Sequence, residues 1–128
     1  MKDNVTLTIS SLVTIVLTIF HITSDAAMGI DPAKLSMLLV VTPIVVLFLY
    51  ATLELAGRRS GFIIILLGSL LALGVSYLHM SSARIAMRAT SPGGFFFIWT
   101  LLTMAATSLF SIVLCVRGLW RLQRGKPV

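Results

Sequence analysis

Hydrophobic positions fill four long runs of this chain, and in the first of them polar residues recur at a helical spacing. From Val5 to Asp25, the residues Ser11, Thr14, Thr18, His21 and Asp25 follow one another at steps of three, four, three and four. On a helix that spacing puts all five on one face. Such a face must meet protein, water or a ligand, because an unsatisfied polar group in hydrocarbon is costly. Crossing ~30 Å of hydrocarbon takes about 20 helical residues, and residues 5–23, 37–55, 61–79 and 95–116 supply four such runs.

The breaks between the runs carry turn chemistry. Gly29 and Asp31-Pro32 mark the first, Ala56-Gly57-Arg58-Arg59-Ser60-Gly61 the second, and Ser91-Pro92-Gly93-Gly94 the end of the third. The second connection is short, so the runs on either side of it are expected to be antiparallel neighbours. Pro43 deletes a backbone hydrogen bond inside the second run and is expected to kink it. In the third run Gly68, Ala72 and Ser76 repeat a small residue every four positions, a seam that lets a partner helix approach closely. The last run opens on Phe95-Phe96-Phe97 and Trp99, which reads as an interfacial aromatic belt. The fold predicted for residues 1–128 is therefore all-α, one integral-membrane domain built as an up-down-up-down transmembrane four-helix bundle.

Composition agrees with this and excludes other classes. Of the 128 residues 58% are hydrophobic and only 11% charged, too little charge for the surface of a soluble domain. The net charge of +6 does not indicate nucleic acid, since the cations sit at the ends of the runs rather than on one aromatic-laced face. One cysteine, Cys115, excludes an internal disulfide and any multi-thiolate metal site. The first run is too long and too polar-striped for a signal-peptide core. No Walker loop, dinucleotide fingerprint, HExxH motif or hydrolase elbow is present.

Cation counting sets the expected orientation. With the amino terminus inside, Lys2, Arg58, Arg59, Arg117, Arg121, Arg124 and Lys126 face the cytoplasm against Lys34, Arg84 and Arg88 outside, which favours both termini cytoplasmic. His21, Asp25 and His79 then gather at the outer end, and the two histidines fall at similar depth along parallel helices. Ser69, Ala72, Ser76 and His79 repeat the register of the first stripe.

Two imidazoles aimed at one another can ligate haem iron, and with Asp25 they make a two-histidine, one-carboxylate set for a transition metal. Without a metal, Asp25 can accept from His21 and the cluster can hold a proton or a small ligand, with Thr18 and Ser76 alongside. The simplest alternative is that each histidine bonds a neighbouring carbonyl. Glu54, four residues before Arg58, is expected to form a structural ion pair with it. Thr100, Thr103, Thr107, Ser108 and Ser111 suggest a bundle interior joined by hydroxyls. Arg117 to Lys126, with Trp120 among its cations, reads as an anchor on anionic headgroups.

Phe20-His21 with Asp25, Arg58-Arg59-Ser60-Gly61, Leu78-His79-Met80, Gly93-Gly94 with Phe96-Phe97, Trp99-Thr100, and Arg117-Gly118-Leu119-Trp120 together resemble a family of small bacterial four-span membrane proteins. No activity is attached to that family, so the resemblance implies a bacterial inner-membrane setting and assigns no residue a role. The functional expectation is a non-enzymatic membrane protein that binds a metal, haem or small ligand through His21, Asp25 and His79. Its alternatives are an accessory subunit that docks on other membrane subunits or on copies of itself, and a small transporter or embedded enzyme for a lipid-soluble substrate.

Overall fold

The computed structural model describes residues 2–27, 35–81, 90 and 93–125, with the side chains of 2, 25–27 and 35–38 outside that description. Four helices account for almost all of it: α1 (Lys2–Ala27), α2 (Leu35–Leu53), α3 (Arg59–Met80) and α4 (Gly94–Gln123). No strand occurs among the described residues. Three of the helices, over Asp3–Ser24, Arg59–Met80 and Gly94–Gln123, are long and apolar enough to cross a membrane. The apolar part of α2, Leu39–Leu53, is shorter. The turns expected at Asp31-Pro32 and Ser91-Pro92 lie outside the described residues.

Lipid gives apolar side chains no reason to hide, so the core here is selected by size and hydrogen bonding. Along α4 the buried positions include Phe97, Leu101, Met104, Ser108, Ser111, Cys115 and Gly118, at alternating steps of four and three. That 3.5-residue repeat is the seam of a coiled coil. Helix α3 buries Phe62, Ile65, Ser69, Ala72 and Ser76 on the same period, and α1 buries Leu7, Ser11, Thr14 and His21. Both α1 and α3 pack chiefly on α4, which makes α4 the central stave; α2 packs mainly on α3.

Hydroxyl contacts fix the register between α1 and α4. Ser10 Oγ lies 2.8 Å from Ser111 Oγ, and the Thr14 and Thr107 hydroxyls meet at 2.9 Å. Ser10 also donates to the Thr107 carbonyl at 3.1 Å. As the α1 number rises the α4 number falls, so the two helices run antiparallel. The expected joining of the interior by span-four hydroxyls therefore holds for Thr107 and Ser111. Thr100 and Thr103 instead donate to carbonyls of their own helix, Phe97 and Trp99.

At two glycines a ring of a neighbouring helix approaches the backbone closely. A Cβ on Gly118 would collide with the Phe62 ring, and one on Gly68 would stand 2.7 Å from the Phe48 ring. Phe62 thus seats α3 on α4, and Phe48 seats α2 on α3. The small-residue seam is occupied inside the chain: Gly68 receives Phe48, while Ala72 and Ser76 are buried.

The ends of the bundle depart from expectation in three places. Helix α1 continues past residue 23 to Ala27, so the backbone of Asp25 is helical. Helix α2 stops at Leu53, and Gly57, at φ +76°, turns the chain toward α3. Because the helix ends before Glu54, the i,i+4 geometry expected of Glu54 and Arg58 never forms; both are exposed, and among the described residues no ion pair joins them. The charge pairing at this end is made by Asp3, whose carboxylate lies 2.6 Å from Arg121 and 4.0 Å from Arg117. Helix α4, at 30 residues, is about 45 Å long, longer than ~30 Å of hydrocarbon. Its final turns carry these arginines, and Arg124 lies 4.3 Å over the Trp120 ring.

Replacing Gly118 by Ala should lower the unfolding free energy by about 1–3 kcal/mol through overpacking against Phe62, with partial recovery in the Gly118→Ala, Phe62→Leu double variant. A Cβ on Gly74 would have nothing within 4 Å, so Gly74→Ala should show no loss. Denaturant titration in bicelles followed by circular dichroism measures both.

Candidate functional site: a histidine pair beside a lateral cleft

Helices α1 and α3 present their last core positions to each other as imidazoles. The His21 and His79 ring centroids are 4.8 Å apart with an interplanar angle of 89°, an edge-to-face contact. His21 is 2% exposed; His79 is half-buried. Phe97 of α4, 0% exposed, completes the layer, its centroid 4.8 Å from His21 and 6.3 Å from His79. The three rings cap the interior at the end of the bundle away from the chain termini.

The two histidines come together, as the matching depth of their helices predicts. His79 also satisfies the simplest alternative, because its Nδ1 lies 2.9 Å from the Val75 carbonyl. A carbonyl only accepts, so Nδ1 carries the proton, and in the neutral ring the lone pair is on Nε2. The side chain of Asp25 is outside the described residues. Among those described, no group of three or more His, Cys, Asp or Glu residues comes together as a metal site. The edge-to-face ring contact leaves no slot in which a porphyrin plane separates the imidazoles, so axial haem ligation does not fit this arrangement.

Thr18 and Ser76 differ in what they face. Thr18 lines a cleft next to His21, its hydroxyl 2.8 Å from the Thr14 carbonyl and 3.3 Å from the Met104 sulfur. Ser76 is buried and donates to the Ala72 carbonyl at 3.0 Å; it does not line the cleft.

Phe97 is the site residue that sequence reasoning places wrongly. Assigned to an interfacial belt with its neighbours, it is instead core, while Phe95, Phe96 and Trp99 are exposed. Phe96 stacks toward Trp99 and meets Phe20 edge-on, each at 6.4 Å. A signal for it exists: Phe97 stands four residues before Leu101 and seven before Met104, on the repeat that α4 buries.

The cleft, of about 230 Å³, lies between α1, α2 and α3. It reaches from Phe48 and Gly68 at one end to His21 and His79 at the other, and Met104 of α4 forms part of its wall. Its surface is almost entirely carbon. The cause is the asymmetric seating of α2. Phe48, Ala51 and Thr52 are buried near its carboxyl end, whereas Leu39, Val40, Ile44, Val46 and Leu47 are exposed. A second groove on the other side of the same contact, lined by Ile19, Ile22, Val41 and Val45 among others, leaves α1 and α2 loosely joined here.

Compared with family models, with curated proteins and with solved structures, the chain has no match.

Replacing Phe97 by Ala should cost about 3–5 kcal/mol, the range for a large ring removed from a packed core. Phe95→Ala, at a position 80% exposed, should stay within ~0.5 kcal/mol of the parent. Thermal unfolding in detergent by circular dichroism separates the two, and equal effects would contradict the placement of Phe97.

Proposed function

We propose that this protein binds a lipid-soluble molecule in the cleft between α1, α2 and α3, with the molecule's polar end at His21 and His79 and its apolar part running toward Phe48 and Gly68. The observation that carries the reading is the conjunction of a carbon-lined cleft with two imidazoles at one end of it. Binding pockets are mostly apolar with a few placed polar groups that fix orientation, and the candidates for that role here are the imidazoles at one end of the cleft.

Its dimensions narrow the class of ligand. From His79 to Gly68 is eleven residues of α3, or about 16 Å. The volume of about 230 Å³ falls below the ~300–1,000 Å³ common for drug-sized ligands. One hydrocarbon chain or one substituted ring fits; a two-chain phospholipid does not. The head would carry a hydroxyl or carbonyl, groups with which an imidazole exchanges hydrogen bonds. The setting that goes with this reading is a bacterial inner membrane with both termini cytoplasmic. The excess of Lys and Arg at the terminal end of the bundle supports that orientation, as does the Arg-Trp anchor on α4.

A transition metal held by His21, His79 and Asp25 is the second reading. It is favoured by one observation, the adjacency of the two imidazoles, since two or more nitrogen ligands on facing helices are the usual start of such a site.

The test uses the full chain in nanodiscs with a pyrene-labelled single-chain alcohol as probe. Saturable binding is expected, reduced at least tenfold by Val75→Trp, which fills the cleft from its half-open wall, and about tenfold by His79→Phe, which keeps the ring shape and removes the polar contact. That last effect corresponds to ~1.4 kcal/mol, within the range for a hydrogen bond. Non-saturable partitioning that neither variant changes would refute the cleft reading. One equivalent of metal retained through purification and lost in His21→Phe would establish the second reading in its place.

A further inference from the structure

Three buried serines at mid-depth have no hydrogen-bond partner among the described residues: Ser11 on α1, Ser69 on α3 and Ser108 on α4. Each is 0% exposed. Their register brings them to one level. Ser11 and Ser69 each stand ten residues before the histidine of their helix, and those histidines are in contact. Ser108 lies between Thr107 and Ser111, the residues that meet Thr14 and Ser10 on either side of Ser11. The Phe48 ring of α2 is seated on Gly68, the residue before Ser69.

We infer that this serine layer binds a water molecule shared by α1, α3 and α4. A serine hydroxyl in a helix can bond the carbonyl four residues back, as Ser76 does here. These three do not. Their unmet hydrogen-bonding capacity is the kind that buried water serves in protein interiors, where one water typically makes about three bonds. Water carries two donors and two acceptors, so it can join all three hydroxyls. Three serines on one level of a seam also leave more room than the Leu and Ile side chains at Leu7 and Ile65 below.

The chemistry favours water over a cation. Asp3, near the start of α1, is eight residues from Ser11, or about 12 Å along the helix. Glu54 is exposed beyond the end of α2. Neutral hydroxyls alone do not repay the dehydration of a cation at this depth.

Water-edited solid-state NMR on the full chain in liposomes tests the inference. Polarisation from water is expected at the Cβ of Ser11, Ser69 and Ser108 and not at the side chain of Leu7, with the transfer to Ser11 and Ser108 lost in Ser69→Ala. The same variant should lower the unfolding midpoint, since two hydroxyls then lose the partner they shared. Absence of transfer at all three serines in the parent chain would overturn the proposal. So would a midpoint that is unchanged or raised in Ser69→Ala, the result expected when an orphaned hydroxyl is simply removed.

Discussion

Association of α1 with α4 through paired hydroxyls is the interaction on which the remaining architecture depends. In a membrane, apolar side chains are as well solvated by lipid as by one another, so burying Leu or Val against a neighbour gains little. What draws helices together is close approach and the satisfaction of groups that lipid cannot serve. Ser10 with Ser111 and Thr14 with Thr107 meet both needs at once. Each such contact contributes modestly, on average ~0.6 kcal/mol in membrane proteins, but together they fix the axial register of α1 on α4. Once that register is set, His21 and Phe97 are brought to one level, and α3, seated through Phe62 on Gly118, carries His79 to the same place.

The cleft follows from where this kind of contact is lacking. Among the described side chains of α2, Phe48, Ala51 and Thr52 are the buried ones. Its amino-terminal half is rich in Val, Leu and Ile, interrupted by Ser36, Met37 and the Thr42-Pro43 pair. Pro43 also leaves the Leu39 carbonyl without its usual helical donor. No described side chain between Leu39 and Leu47 is buried against α1. The bundle is therefore closed by four helices at the end where the chain begins and finishes, and opened sideways at the histidine end.

Much of this is legible in the residue pattern. The all-helical class, the approximate runs and the meeting of the two histidines follow from spacing alone, because helical period and rise are fixed quantities. The departures have a common physical origin. The i,i+4 rule pairs Glu54 with Arg58 only if the helix continues, whereas Gly57 at positive φ ends it. Residue type groups Phe97 with its neighbours, although the three- and four-residue alternation separates it from them. Asp3 gives no local signal for Arg121, since their contact exists only after α1 and α4 are in register. The cleft is not legible at all. A cavity is a property of how helices are inclined to one another, and apolar sequence in lipid does not specify that.

Phe48 belongs both to the buried core and to the wall of the cleft. Its ring lies on Gly68, forming one end of the cleft. It also makes the width of the cleft depend on one seat. A molecule lodged between α1, α2 and α3 touches all three helices, and by linkage it favours whichever inclination of α2 gives it the better fit. Because the buried side chains of α2 among those described are Phe48, Ala51 and Thr52, an adjustment of its far half leaves the hydroxyl register of α1 on α4 in place. The rigid part of the fold and the adaptable part are thus divided at a single phenylalanine.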